Sequence, residues 1–454
     1  MMNASPKVVL RGSEQLQTCC IIGAGICGLT TAKALQDRRV PFDWFELSDR
    51  IGGVWAFNNP NGRSAAYRSL HIDSSKSRIS FEDFPVPADW PEYPHHLQIA
   101  EYLKSYASRF NLLGKITFST EVVWVTRAGD GTWSVTLSTG EIRRYRSVVV
   151  CNGHHWDPRW PTPGYPGTFT GEQMHSASYV DPFAPIDARN KTVLVVGMGN
   201  SAMDISCELS PRHIARKLLV STRRGVYIFP RFMLGRAADK GKVYRWLPLG
   251  LQTAISKWIY RRVVGRMEDY GLPKPDHELF QSHGTVSDEF PSRVAAGDIQ
   301  IRPGLERLDG DGVVFSDGSR ERVDVIVWAT GYNVSLPFLD KNLLAVKDNR
   351  LPLFRRMFKP GMDGLIFIGL LQSTVTIFTI AEKQARLAAA YVAGQYALPD
   401  ANSMERIIVE DEARHNGRYY ASARHTMQVD QEVYYWDLER ETKEGMKRAR
   451  QRAK

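Results

Sequence analysis

Two short apolar runs that each break into small residues at one fixed spacing constrain this chain more than any other feature. Cys19-Cys20-Ile21-Ile22 leads into Gly23, Gly25 and Gly28, and Val193 to Val196 leads into Gly197, Gly199 and Ala202. A buried parallel strand feeding directly into a helix writes this pattern. The first glycine makes the tight turn, the second lets backbone approach a pyrophosphate, and the third position lets helix and strand pack closely. Leu29, Ala32 and Leu35 then continue at helical spacing. Two such turns predict two dinucleotide-binding units in an α/β fold built on parallel sheets.

The residues after each turn sharpen the expectation. Glu46 closes the next alternating run, Phe42 to Leu47, at the distance where an acid meets a ribose hydroxyl. Arg50-Ile51-Gly52-Gly53-Val54-Trp55 adds a second glycine pair for close backbone approach, and the Trp55 indole suits packing beside a flat ring. In the second unit, Asn200 and Ser201 open the helix, and the strand Leu218 to Ser221 ends in Thr222, Arg223 and Arg224. An acid would favour NADH there. A guanidinium fork matches a 2′-phosphate instead, so NADPH is the predicted reductant.

Further apolar strands, Val148 to Cys151, Val323 to Trp328 and Leu365 to Ile368, end at Gly153, Gly331 and Gly369. Pro158, Pro161, Pro163 and Pro166 crowd a linker before the second turn. We therefore expect two Rossmann-like domains, the NADPH domain inserted into the other. The expected division is residues 1–170, then 171–322 with a helical region near 235–290, then 323–454 with a C-terminal tail. On this reading the Val323 strand and the Gly369 turn return to complete the first domain.

Composition narrows the partners. At 454 residues and 43% hydrophobic content the chain supports two or three globular units. A net charge of +10 suits nucleic acid, an anionic membrane or a phosphate-rich cofactor equally. Much of the local excess lies in Lys443 to Lys454, which reads as a solvated tail. The five cysteines lack the spacing of a metal clip or redox pair, pointing to a reducing, cytoplasmic setting. Met1 to Gln17 has no signal pattern, and no run reaches the roughly 18 apolar residues of a membrane span. We expect no nucleic-acid partner and no membrane contact, and leave a homodimer open. His154 and His155 have no third ligand at metal-binding spacing, so no metal is expected. In Leu247 to Met267, Leu251, Ile255, Trp258 or Ile259, Val263 and Met267 recur at helical spacing, with Lys257, Arg261, Arg262 and Arg266 between them. We read this as a helix capping the substrate channel or the domain junction, with attachment to a membrane surface as the alternative.

Between the glycine turns, Phe169, Gly171, His175 and Tyr179 fit F-x-G-x-x-x-H-x-x-x-Y. With Gly52-Gly53-Val54-Trp55 and Ala329-Thr330-Gly331-Tyr332, this resembles the flavin-containing monooxygenase family from about Cys19 to about Ala390. Ser74-Ser75-Lys76, Phe81 to Pro85, Gln372 and Glu382 to Arg386 extend the resemblance. It implies FAD at the first turn with Gln372 beside it, NADP at the second, and the Phe169 to Tyr179 motif joining the domains. His175, by residue type, suits packing or a hinge. The implied activity is oxygen transfer from a flavin hydroperoxide to a soft nucleophile, an amine nitrogen or a sulfide sulfur. Baeyer–Villiger oxygenation of ketones is the alternative, although its motif usually ends in Trp where Tyr179 stands. A non-catalytic sensor binding NADPH and FAD is another. One departure stands out: Asp73 occupies a place where the family usually carries Asn near the reactive flavin edge. An amide donates and accepts, whereas an ionised carboxylate only accepts. Asp73 is thus the candidate catalytic residue, its alternative being an ordinary ion pair with Lys76.

Overall fold

A computed structural model of the chain describes residues 16, 19–240, 249–282, 284–417, 419 and 426–454. Of the polar start from Met1 to Gln17, only Leu16 is among them. Two five-stranded sheets organise these residues. In chain order the strands are β1 (Cys19–Ile22), β2 (Phe42–Phe45), β3 (Ile116–Thr117), β4 (Ser147–Val150), β5 (Glu172–His175), β6 (Thr192–Val196), β7 (Lys217–Ser221), β8 (Gln300–Arg302), β9 (Val325–Trp328) and β10 (Leu365–Phe367). The first sheet has the order β10-β4-β1-β2-β3 and the second β8-β7-β6-β9-β5. Every neighbouring pair in both runs parallel. β1, β4, β6 and β9 are buried at every residue, because covering layers shield both faces, and this is why they read as unbroken apolar runs.

Five helices bear on the site and its surroundings: α1 (Ile26–Asp37), α2 (Asn200–Leu209), α3 (Leu249–Val263), α4 (Phe378–Val392) and α5 (Gln431–Arg452). α1 crosses from β1 to β2 and packs against α4, forming one face of the first core. The other face of that sheet is covered by an antiparallel meander, whose Trp133 and Tyr145 lie against Cys20, Ile22, Val148 and Val150. α2 makes the matching crossover from β6 to β7 and buries Ala202, Met203, Ile205 and Leu209 in the second core.

Three expectations are corrected. The strand around Val323 to Trp328 does not return to the first sheet: β9 lies between β6 and β5, with Val193 opposite Val325 and Glu172 on its other side. β10 makes the return, with Leu365 opposite Val148. All strands of the second sheet therefore fall between β4 and β10 in sequence. Both strands are equally apolar, so composition could not tell which sheet each joins.

Next, the basic C-terminus is part of α5 and docks on the first lobe. Arg448 Nε and Arg452 Nη2 each donate at 3.0 Å, to the carbonyls of Ala397 and Leu398. Gly445 makes the approach possible, since a Cβ there would lie 1.9 Å from the Tyr396 ring.

Lastly, the apolar stripe of the basic helix faces outward, with Trp258 61% exposed. α3 packs through Tyr260, whose hydroxyl donates to the Ile228 carbonyl at 2.9 Å. It ends at Val263, and Gly265 in the left-handed region (φ +86°) separates it from Met267, buried in its own short turn. Leu247 and Pro248 of that stretch lie outside the described residues.

Candidate active site

The first glycine turn is dictated by its neighbours. Gly23 has φ +98°, and a Cβ on it would lie 2.7 Å from the Cys151 carbonyl oxygen; one on Gly28 would lie 1.9 Å from the Gly23 oxygen. At Gly25 the nearest atom to such a Cβ would be Gly53 Cα, at an ordinary 3.6 Å. The turn is thus closed by protein at Gly23 and Gly28 and has room at Gly25. Gly25 caps α1 without a side-chain hydrogen bond, leaving first-turn N–H groups for a pyrophosphate. Glu46 is pinned beside them: Oε2 accepts from Ala24 N at 2.5 Å and Oε1 from Ser48 N at 2.8 Å. Each oxygen keeps a further lone pair for a ribose hydroxyl. Burial raises this carboxyl above its ordinary range, against the two N–H donors. Trp55 ends the short turn Gly53–Trp55 and packs, half-buried, on the edge of the first core. The segment carrying Gln372 abuts the same place, since a Cβ on Gly369 would lie 2.3 Å from Cys27 Sγ on α1.

The second turn repeats the device. Gly197 has φ +135°, and a Cβ there would lie 2.4 Å from the Ala329 oxygen, so the Ala329 to Tyr332 turn closes over it. Gly199 heads α2, again with no side-chain cap, while Ala202 is buried and Ser201 half-buried. Arg223 and Arg224 are exposed beyond the end of β7. Arg224 Nε is engaged with Asp276 Oδ2 at 3.3 Å, while the stem of Arg223 lies across Gly304.

The Phe169 to Tyr179 motif packs beside the connections between the two sheets, where His175 meets Trp160 and Tyr332. The Phe169 ring folds over Gly171, where a Cβ would lie 2.5 Å from it. His175 is buried, and its Nδ1 accepts from Ala177 N at 3.0 Å, capping a short turn. Burial pushes its imidazole down to about 4, so it is neutral at physiological pH. Its ring meets Tyr332 at 5.6 Å, and Tyr332 meets His155 at 5.4 Å. Thr330 Oγ1 donates to the Arg159 carbonyl at 2.5 Å, tying the Ala329 to Tyr332 turn to the proline-rich linker. Among the described residues, no three His, Cys, Asp or Glu side chains are grouped to hold a metal.

Asp73 lies between the two lobes, on a strap running from Tyr67 to Ser74. Tyr67 and Leu70 pack in the second core, whereas Ile72 packs in the first. Asp73 Oδ2 accepts from Asn200 Nδ2 at 2.8 Å, and Oδ1 from Arg231 Nη2 at 3.1 Å. Ser74 Oγ donates to the Val375 carbonyl at 2.7 Å, which brings the strap to the segment following Gln372. The alternative pairing with Lys76 is not formed: Lys76 Nζ donates to the carbonyls of Ala88 and Trp90 at 2.6 and 2.7 Å. Burial first, and then the nearby Asp204 carboxylate, push Asp73 up to about 7, against the Arg231 guanidinium. Its side chain nevertheless keeps 29% exposure. Sequence reading marked none of Tyr67, Asp204 and Arg231 as a site residue. One signal was available: Asn200, Asp204 and Glu208 recur every fourth residue along α2, making a polar stripe opposite the apolar one.

Two parallel sheets, each carrying a glycine turn at the head of an uncapped helix and joined across a shared strap, define an oxidoreductase built for two dinucleotides. The chain matches the flavin-binding monooxygenase-like family over residues 17–444, and it belongs to that family. It is 37% identical over 418 residues to dimethylaniline monooxygenase (N-oxide-forming) 2 of Rattus norvegicus, covering 86% of this chain and 76% of that protein. To flavin-containing monooxygenase 5 of Homo sapiens it is 33% identical over 437 residues, covering 90% and 80%. Among solved structures, S-allyl-L-cysteine S-oxygenase from Allium sativum matches with a TM-score of 0.69 at 24% identity, covering 94% of this chain and 88% of that one. Steroid monooxygenase bound to NADP matches at 0.70 and 18%, covering 94% and 98%. The protein is an NADPH- and O2-dependent flavoprotein monooxygenase that works with FAD. Among the described residues, no helix is long and apolar enough to cross a membrane.

Proposed function

We propose that this enzyme binds FAD at the first glycine turn and NADPH at the second, and transfers one oxygen atom to the nitrogen of an amine or the sulfur of a sulfide. The observation that carries this reading is the strap: Asp73 touches the head of α2 while Ser74 touches the segment after Gln372, so both candidate cofactor sites share one junction. Once bound, the two cofactors supply hydride transfer and oxygen activation. The residues do the rest. The uncapped heads of α1 and α2 hold the pyrophosphates, Glu46 accepts from a ribose hydroxyl, and Arg223 pairs with the 2′-phosphate. Gly53, Trp55 and Gln372 border the flavin. Asn200, Ser201 and Ala202 shape the second turn, with Arg224 secondary because Asp276 already engages it. Asp73 holds a proton at the junction, with Arg231 offsetting its charge when the proton leaves. Phe169, Gly171, His175 and Tyr179, with Ala329 to Tyr332, keep the lobes in register. The names of relatives that form N-oxides and S-oxides support the substrate class.

The domain division that follows is residues 19–151 and about 335–454 for FAD, with NADPH held by the stretch between. The five cysteines are all free thiols, which supports a reducing, cytoplasmic setting. A homodimer is compatible with this reading.

The purified protein should be yellow, lose its flavin absorbance on NADPH addition without air, and regain it in air. Oxygen uptake should then rise with a tertiary amine or a thioether and yield the N-oxide or S-oxide. Ester formation from a ketone at a higher kcat/KM than either would favour Baeyer–Villiger chemistry, and absence of NADPH oxidation would favour a sensor.

A further inference from the structure

Along α2, three polar residues one turn apart face the strap. Asn200 donates to Asp73 at 2.8 Å; Asp204 accepts from the Tyr67 hydroxyl; Glu208 accepts from Ser69 Oγ and Tyr179 OH, both at 3.0 Å. The opposite face of α2 is already committed to its own lobe through Ala202, Met203, Ile205 and Leu209. Apolar packing is non-directional, so it holds the helix on its sheet without fixing where its head points. A hydrogen bond between a phenol and a carboxylate is directional and charge-assisted. Tyr67 is 4% exposed and anchored in the second core, while Ile72 and Ser74, further along the same strap, are held by the first lobe.

We propose that Tyr67 and Asp204 are a positioning pair for the nicotinamide cofactor, their hydrogen bond holding α2 against the strap one turn past the Asp73–Asn200 bond at its head. The inference rests on the reading that NADPH binds at the second glycine turn. Each side chain is turned to the other, so the pair acts through α2 as a positioning pair. Its effect is transmitted by α2, because displacing the helix head by about 1 Å moves a bound dinucleotide out of the 3–3.5 Å range that hydride transfer requires.

The test is the rate of flavin reduction by saturating NADPH without oxygen, measured by stopped flow on the FAD-loaded protein. Tyr67→Phe and Asp204→Leu should each slow reduction about tenfold or more while keeping FAD content and melting temperature near those of the wild type. Asp204→Asn keeps an acceptor for the hydroxyl and should reduce within about threefold of the wild type. Because both residues act through one bond, the double variant Tyr67→Phe/Asp204→Leu should be no slower than the slower single variant. A purely structural role would lower the melting temperature without this rescue and without this non-additivity. Unchanged reduction rates in the single variants, multiplying losses in the double, or an Asp204→Asn variant as slow as Asp204→Leu would each overturn the proposal. If Tyr67→Phe does not retain flavin, the Leu and Asn comparison at position 204 decides alone. Wild-type flavin that dithionite reduces but NADPH does not would refute the underlying reading instead.

Discussion

A carboxylate wedged between two lobes has a pH-dependent effect on the fold. Asp73 is pushed up to about 7, well above the ordinary carboxylate value of about 3.9, so the folded protein holds its proton more tightly than the unfolded chain does. A raised carboxyl contributes stability that is complete below the unfolded value and is lost as pH rises through about 7. Asp73→Asn removes that dependence. The melting temperature of the wild type minus that of the variant should therefore fall by a few degrees between pH 5 and pH 8.5. A difference that does not fall over this range would show that Asp73 does not lose its proton there with a raised value. Arg223 and Arg224 divide differently. Arg224 is engaged with Asp276, whereas Arg223 is exposed past β7 and drapes its stem over Gly304. Arg223→Ala should raise the KM for NADPH about tenfold, equivalent to ~1.4 kcal/mol, and leave that for NADH nearly unchanged. Arg224→Ala should do less. Equal losses with both nucleotides would remove Arg223 from phosphate recognition.

At the scale of elements, the strand-turn-helix units separate two kinds of glycine that the motif alone treats alike. Gly28 is required by the protein itself, since a Cβ would collide with the Gly23 oxygen at 1.9 Å. Gly25 has room for one, so the protein itself does not require glycine there. Gly28→Ala should cost the fold, seen as lost soluble yield or a collapsed melting temperature. Gly25→Val should keep the fold and lose the flavin, read as the ratio of 450 nm to 280 nm absorbance. A folded, fully yellow Gly25→Val protein would move the pyrophosphate elsewhere. These turns were legible in the sequence because their constraint is local: a strand, a glycine spacing and a helix within about twenty residues. What was not legible is non-local. Whether Val325–Trp328 or Leu365–Phe367 joins the first sheet depends on partners more than a hundred residues away, and both are short apolar strands. The orientation of α3 escaped for another reason, since Tyr260, which belongs to neither the apolar stripe nor the basic positions, supplies both the buried ring and the hydrogen bond.

Across the whole molecule, the chain leaves the first sheet after β4, builds the second from β5 to β9, and returns at β10. That order alone would make the second lobe a module hung on two connections. The strap changes this, because Tyr67 and Leu70 come from the first lobe's stretch of sequence and yet fill the second lobe's core. Sequence reading placed Asp73 as a residue of interest from its departure in type, but nothing in residues 67–74 announced that they cross between cores, since three-dimensional proximity to Asp204 and Glu208 lies well over a hundred residues away along the chain. The consequence reaches protein engineering. A second lobe cut out along its two connections is a socket without its plug, and grafting it onto a relative's first lobe transplants only half of the fitting. A chimera of this enzyme keeps its two lobes in register only if the stretch from Tyr67 to Asp73 travels with α2.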